Sequence, residues 1–409
     1  MTLPLSSIRV IDATNSIAGP FTGMILGDLG AEVIKIEPPG RGDISRAWGP
    51  GAFGGMSTSF LACNRNKSGM ALDLTQEQGR QVLHDLVKTS DVLLTNVLPH
   101  KREKLGLDYE SCRGENEKLI YCAVSAYGVT GSMKNEAGYD ALMQARTGLM
   151  SITGNAGSAM PPVRIASSLI DMGTGLWSAI GVLAALFERN GTGRGKRIDA
   201  SLFETAVAWS PQQIMTYFAT GEPPRKYGSG VEMIAPYEAY ASSDGFIVIA
   251  ANTEEFWRRL CGALNLPRLL EDARYTDNRS RVMNRVALSE EVEACTRRNT
   301  TAYWKKRLGE AGVPCEPVAS IADIVQDEQT KALAMIRNTR AASGGDDPGP
   351  SNFLDIAPPF MLDGKRPPMR QLPPGLGEHT RAWLERLGYP EERIEEMVAR
   401  GVVTMNAVA

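Results

Sequence analysis

Apolar positions recur with two periods along this chain, and their alternation predicts its architecture. Ile8–Ala13 is a β-branched run, Gly19–Leu29 has helical periodicity, and Glu32–Glu37 is a second apolar strand. Strand, turn, helix and strand make a βαβ unit, which implies a parallel sheet covered by helices. The unit recurs in strand Gly69–Leu74, helix Gln76–Lys88 and strands Val92–Leu94 and Leu119–Val124. The opening therefore reads as a doubly wound α/β domain. Further on, Leu176, Ile180, Leu183, Ala184 and Phe187 share one helical face, in a helix expected to follow a glycine-containing turn at Gly173 and Gly175.

After Trp209 the pattern changes. Gly221–Gly230 has linker composition. Tyr237–Ala241 and Phe246–Ala250, joined by Ser243-Asp244-Gly245, read as an antiparallel hairpin, and helices follow at Glu254–Ala263, Arg285–Cys295 and Thr301–Ala311. Strands followed by helices indicate a separate α+β domain. A loop-like stretch, Ala341–Pro358, and the proline-rich Pro367–Gly377 lead to helices His379–Leu387 and Pro390–Arg400. The simplest division is a large α/β domain over 1–220, a smaller α+β domain inserted over 221–330, and a return to the large domain over 331–409.

Composition narrows the function classes. A chain of 409 residues exceeds what one core usually serves, in keeping with two domains. With 43% apolar and 22% charged residues it reads as an ordinary soluble protein, and a net charge of −3 gives no case for nucleic acid or an acidic membrane. The opening residues lack the basic head and apolar core of a secretory signal, and no run of eighteen apolar residues occurs, so a cytoplasmic protein is expected. Six scattered cysteines without a CxxC pair read as reduced, packed thiols. Three histidines form no HxH or HExxH pattern, so no bound metal is expected.

The candidate chemistry centres on Asp171. Placed at a helix N-terminus, its carboxylate would be held ionised by backbone N–H groups and the helix dipole. That suits a carboxylate nucleophile, and it equally suits an N-cap. A dinucleotide site is disfavoured, because the first turn reads Ala18-Gly19-Pro20-Phe21-Thr22-Gly23 and lacks GxGxxG. Asn64-Arg65-Asn66-Lys67 reads as a solvated turn or, less favoured, a phosphate clamp. Pro99-His100-Lys101-Arg102-Glu103-Lys104 lies at the mouth of a strand, where ligands dock on open α/β sheets.

In order and spacing, several motifs together resemble the family III CoA-transferases, the group that includes formyl-CoA and carnitine CoA-transferases and α-methylacyl-CoA racemase. They are Ala18-Gly19-Pro20, Leu26-Gly27-Asp28-Leu29-Gly30-Ala31, Val33-Ile34-Lys35-Ile36-Glu37, Gly42-Asp43, Asn64-Arg65-Asn66-Lys67, Leu72-Asp73-Leu74, Asn96, Gly138-Tyr139-Asp140, Gly148-Leu149-Met150, Asp171, Gly193-Arg194-Gly195, Asp199-Ala200-Ser201-Leu202 and Leu376-Gly377-Glu378-His379-Thr380. The resemblance implies a Rossmann-like large domain, an interlocked ring homodimer, and CoA as an acyl-CoA substrate with no permanently bound cofactor. Asp171 would carry CoA as an aspartyl thioester, donors near Gly173 would stabilise the oxyanions, and Ile17, Ala18, Leu72, Leu74, Asn96, Val97, Lys104 and Leu105 would contact CoA. Arg41, Arg46 and Lys101 are candidate phosphate partners. Formyl-CoA transferases have glutamine where Ile17 stands and a longer glycine run than Tyr227-Gly228-Ser229-Gly230, which argues against the formyl-CoA and oxalate pair. A pocket lined by Ile17 and Trp48 suits a larger or more apolar acyl group, with Tyr139 beside it. A racemase would need a histidine where Tyr139 stands, and tyrosine is a poor base at neutral pH. A further alternative is one subunit of a heteromeric transferase.

Overall fold

The computed structural model describes residues 2–51, 55–155, 161–339 and 353–405. Six parallel strands form the body of the large sheet: β1 (Arg9–Ala13), β2 (Glu32–Glu37), β3 (Lys67–Leu72), β4 (Val92–Thr95), β5 (Ile120–Ser125) and β6 (Arg197–Ser201). Their spatial order is β3-β2-β1-β4-β5-β6, the doubly wound order that reverses direction between β1 and β4. Alternation along β1 separates the two cores. Ile11 and Ala13 join a cluster that includes Val82, Leu83, Leu86, Trp383 and Leu384. Val10 joins Leu26, Val182, Ala185 and Leu186 on the opposite face.

Two compact units emerge. The first comprises the described residues of Met1–Thr147, Ile165–Pro211 and Lys331–Ala409, and the second those of Gly148–Arg164 and Gln212–Thr330. Residues 148–164 and 212–220 thus lie with the smaller unit, although the sequence pattern assigned them to the large one. A backbone hydrogen bond helps explain this, since Gly228 N–H donates to the Gly154 carbonyl at 3.0 Å. The second unit carries an antiparallel sheet, β7 (Tyr237–Ala241), β8 (Phe246–Ala250) and β9 (Cys315–Pro317), packed on helices through its own core of Ile247, Ile249, Trp257, Leu260 and Leu308.

In the first unit, β10 (Ile336–Thr339) pairs antiparallel with β11 (Phe353–Ile356), so part of the expected 341–358 loop is a strand, while 341–352 lie outside the described residues. The chain closes with helices Thr380–Arg386 and Glu391–Ala399 and then β12 (Val403–Thr404), which adds antiparallel to β3.

Helix Leu169–Thr192 departs from expectation at its start. It begins at Leu169, so Gly173 and Gly175 lie inside it and form no turn. Its apolar stripe faces outward, with Leu176, Ile180 and Phe187 exposed, while Gly173, Thr174, Gly175, Ser178, Ala179 and Val182 are buried. Periodicity locates a stripe without saying which stripe packs, and here close helix–helix approach selects the small residues. A Cβ on Gly175 would meet the Ala18 carbonyl oxygen at 2.7 Å, so the helix lies directly against the backbone of helix Ala18–Asp28. By length and composition alone Leu169–Thr192 is apolar enough to span a membrane, yet more than half of its apolar window is buried in the protein.

Buried charge fixes this packing. Lys67 Nζ, wholly buried, donates to Asp12 Oδ2 at 2.8 Å, Asn64 Oδ1 at 2.8 Å and the Pro20 carbonyl at 2.7 Å. Burial pulls the Asp12 carboxyl upward, but Lys67 and Lys35 together hold it below its ordinary value. Lys67→Met strands a buried carboxylate, and we expect it to lower unfolding free energy by about 3–5 kcal/mol, measured by urea denaturation. Asp12→Asn added to Lys67→Met is expected to recover part of that loss.

Candidate active site

The C-terminal ends of β1 and β4 define the crevice where ligands bind on sheets of this order. Asn96 braces the two loops there. Its Oδ1 accepts from Asn15 N–H at 3.0 Å, and its Nδ2 donates to the Asn15 carbonyl at 2.7 Å. Beside them, Lys35 Nζ donates to Asp43 Oδ2 at 2.7 Å and to the Thr14 carbonyl at 2.5 Å. Asp43 also accepts from Ser16 N–H at 3.0 Å. The loop from Thr14 to Ile17 is therefore pinned from both sides.

Asp171 enters this region on helix Leu169–Thr192, the third residue of the helix and one turn before Gly175. It is not the cap. The N-cap position belongs to Ser168, whose side chain makes no capping bond, and capping comes from a distant carboxylate: Asp140 Oδ2 accepts from Ile170 N–H at 2.7 Å and from Asp171 N–H at 3.3 Å. Met172 N–H donates to the Ser168 carbonyl, and Gly173 N–H falls within the intrahelical ladder. The oxyanion donors expected near Gly173 are thus already engaged.

The Asp171 carboxyl is half-buried and has no hydrogen-bond partner among the described residues. Desolvation, reinforced by the neighbouring charge of Asp140, pushes its pKa up to about 7. This reverses the expectation that helix N–H groups would hold it ionised, because those groups serve Asp140. The result is a poorly solvated carboxylate at neutral pH, which is what nucleophilic use of a carboxylate requires. Gly173 gives the helix room here, since a Cβ on it would meet the Trp209 ring at 2.2 Å, and Thr174 Oγ1 bonds Thr205 Oγ1 at 2.8 Å.

The other candidates divide by environment. Leu74, Val97 and Leu105 are partly buried and pack on one hydrophobic cluster. Leu72 is a core residue of that cluster, wholly buried and paired with Val403 of β12, so it offers a ligand no surface, and Ala18 is buried where Ile17 is half-buried. Arg41, Lys101 and Lys104 are exposed and join no ion pair among the described residues. Arg46 differs from them: it makes a bidentate pair with Glu37 at 2.7 and 2.8 Å, donates to the Pro374 carbonyl and stacks on Phe60 at 3.6 Å. That engagement makes it a brace within the fold. Trp48 is half-buried, and Tyr139 is exposed at the N-cap of helix Asp140–Arg146.

The Asn64–Lys67 cluster is neither a solvated turn nor a clamp. All four residues are buried, and Arg65 pairs with Asp28 at 2.5 and 2.9 Å. Sequence reasoning gave Asp140 no role, and a cap supplied from 31 residues away leaves no local signal. Gln144, which holds Asp140 Oδ1 at 2.5 Å and accepts Ile165 N–H at 2.9 Å, was equally hidden.

A doubly wound sheet, with a desolvated carboxylate on a helix packed against the turn that follows β1, is an arrangement suited to an enzyme. The chain belongs to the CoA-transferase family III, whose model matches residues 5–380. It is 36% identical over 403 residues to a succinyl-CoA:glutarate CoA-transferase of Mus musculus, spanning 98% of this chain and 90% of that one. An acetyl-CoA:oxalate CoA-transferase of Acetobacter aceti is 35% identical over 343 residues, 84% of this chain and 86% of the relative. Among solved structures, a CAIB/BAIF family protein from Brucella suis superposes with a TM-score of 0.84 at 33% identity, covering 95% of this chain and all of that one.

The raised carboxyl has a stability consequence. A group that binds its proton up to about pH 7 when folded, against an ordinary value of 3.8, costs the native state stability as pH rises between those values. Asp171→Asn is therefore expected to raise the Tm at pH 8 and to leave it nearly unchanged at pH 4, by calorimetry at the two pH values.

Proposed function

We propose that this enzyme transfers CoA from an acyl-CoA thioester, with succinyl-CoA as donor, to a free dicarboxylic acid through a thioester on Asp171. The observation that carries the reading is the Asp171 carboxyl itself, half-buried, without a hydrogen-bond partner among the described residues and raised to about 7 beside the β1–β4 crevice. The choice of acids rests on the names of the relatives.

An Asp171 oxygen attacks the donor thioester carbonyl, forming a mixed anhydride and expelling CoA thiolate. The thiolate attacks the aspartyl carbonyl and the donor acid leaves as its carboxylate, with CoA now on Asp171. The acceptor carboxylate reverses these steps. Charge passes from a desolvated carboxylate to the thiolate, so the same burial that raises Asp171 favours the first step. In this reading CoA is a substrate, lying along the Ile17–Ala18 turn, Leu74, Val97 and Leu105, Asn96 and Lys104. Arg41 and Lys101 meet its phosphates, while Arg46 is committed to Glu37. Trp48 and Tyr139 border the acyl group.

The exposed stripe of Met172, Leu176, Trp177, Ile180 and Phe187 supports association with a second chain. An interlocked homodimer, with the smaller domain inserted in each large one, is the form we propose; a related chain in the partner's place is the alternative. The racemase alternative lacks support in the surroundings of Asp171. His84 meets the Gly106 carbonyl, His379 accepts from Gly69 N–H, and among the described residues no histidine acts on the carboxyl.

Steady-state assays with succinyl-CoA and a panel of dicarboxylic acids including glutarate and oxalate test the reading. Ping-pong kinetics and formation of the acceptor's CoA thioester are expected, with turnover lowered roughly a thousandfold or more by Asp171→Ala. Undiminished transfer by that variant would overturn the reading. Exchange of the α-proton of a 2-methylacyl-CoA in deuterium oxide, without transfer, would put the racemase in its place.

A further inference from the structure

Asp140 is a second buried carboxylate, 6% exposed, directed at the same helix end as Asp171. Ser168 leaves the cap vacant, and Asp140 fills it from helix Asp140–Arg146 by accepting from Ile170 and Asp171 N–H groups. Its orientation is imposed by Gln144, itself buried. Gln144 Nε2 donates to Asp140 Oδ1 at 2.5 Å and to the Ile165 carbonyl at 3.3 Å, while its Oε1 accepts from Ile165 N–H at 2.9 Å. The amide thereby clamps the segment at Ile165 that leads to Asp171 and holds Asp140 in one position.

A neutral cap would satisfy the helix equally well, since serine and asparagine are preferred N-caps. A carboxylate does more, because it places a negative charge next to the nucleophile. Resting on the reading of Asp171 as nucleophile, we propose that Asp140 is a positioning residue that takes the helix N–H groups away from Asp171 and drives it to give up its charge to the acyl donor. When an Asp171 oxygen bonds to the thioester carbonyl carbon and the C–S bond breaks, the negative charge leaves with CoA sulfur. Repulsion from Asp140 is relieved in that step. The covalent intermediate is thereby favoured over the free carboxylate, and each reversal restores the repulsion that readies the next attack.

The surroundings leave this assignment clear. On the neighbouring turn, Gly175 packs on Ala18 and Phe21, and Gly173, on the far face of the helix, packs on Thr205 and Trp209, none of them charged at neutral pH. Cys63 lies within electrostatic reach, but burial pushes its thiol up to about 11, so it stays neutral. Asp140 is the charge that acts on Asp171 among the described residues.

The test compares pH profiles of kcat/KM for transfer from succinyl-CoA in the wild type, Asp140→Asn and Asp140→Ser, with Tm and CoA affinity as controls for folding. Asp140→Asn keeps an oxygen at the cap and Asp140→Ser a shorter one, and both lose the charge. We expect the acidic limb, near pH 7 in the wild type, to move down by about one unit, with a roughly tenfold smaller yield of covalent intermediate, since one pKa unit is a factor of ten between the charged and neutral carboxyl. An unmoved limb in a folded variant reduces Asp140 to a cap and overturns the proposal. Failure of both variants to fold assigns Asp140 to the fold alone and equally overturns it. A wild type without Asp171-dependent transfer instead overturns the transferase reading itself.

Discussion

The ammonium group of Lys67 is the constraint on which the site is built. It is taken wholly out of water, and its three bonds reach Asp12 at the end of β1, Asn64 before β3, and the Pro20 carbonyl in the first turn of helix Ala18–Asp28. Such a charge is tolerated only when fully partnered, so the start of that helix has one position relative to the sheet. The backbone of Ala18, fixed in this way, is the surface against which Gly175 rests. Asp171 stands one turn away. Its place in space thus traces back to an ion pair on the central strand of the sheet, and the neighbouring Lys35–Asp43 and Glu37–Arg46 pairs fix the loop opposite.

Much of the fold was legible because it rests on period and turn chemistry. The runs at Glu32–Glu37, Tyr237–Ala241, Phe246–Ala250 and Glu254–Ala263 coincide with elements of the structure to the residue. What escaped was tertiary. β6 reads Arg197-Ile198-Asp199-Ala200-Ser201, an edge strand with charged positions, and β12 is two residues long; neither carries an apolar run. The stripe on Leu169–Thr192 was found but not its direction, since the buried face is marked by small side chains that no hydrophobic pattern weights.

The site shows the same division. Asp171 was visible as a carboxylate in a telling context, and the family resemblance gave it a role that composition alone did not. Its electrostatics were misjudged, because the N–H groups expected to serve it serve Asp140. The basic clusters divide: Arg65, Lys67 and Arg46 are internal braces, whereas Arg41, Lys101 and Lys104 stand exposed near strand ends. Counting positive charges along a sequence cannot separate the two, because the partner acids are distant in the chain.

The central claim is that Asp171 carries CoA covalently between donor and acceptor. Intact-protein mass spectrometry after mixing the enzyme with succinyl-CoA, without acceptor, addresses it most directly. The account predicts an adduct with the mass of CoA less water, removed by hydroxylamine and absent from Asp171→Ala. An enzyme that turns over succinyl-CoA with its acceptor and yet never acquires that mass, or acquires it equally without Asp171, would contradict the account.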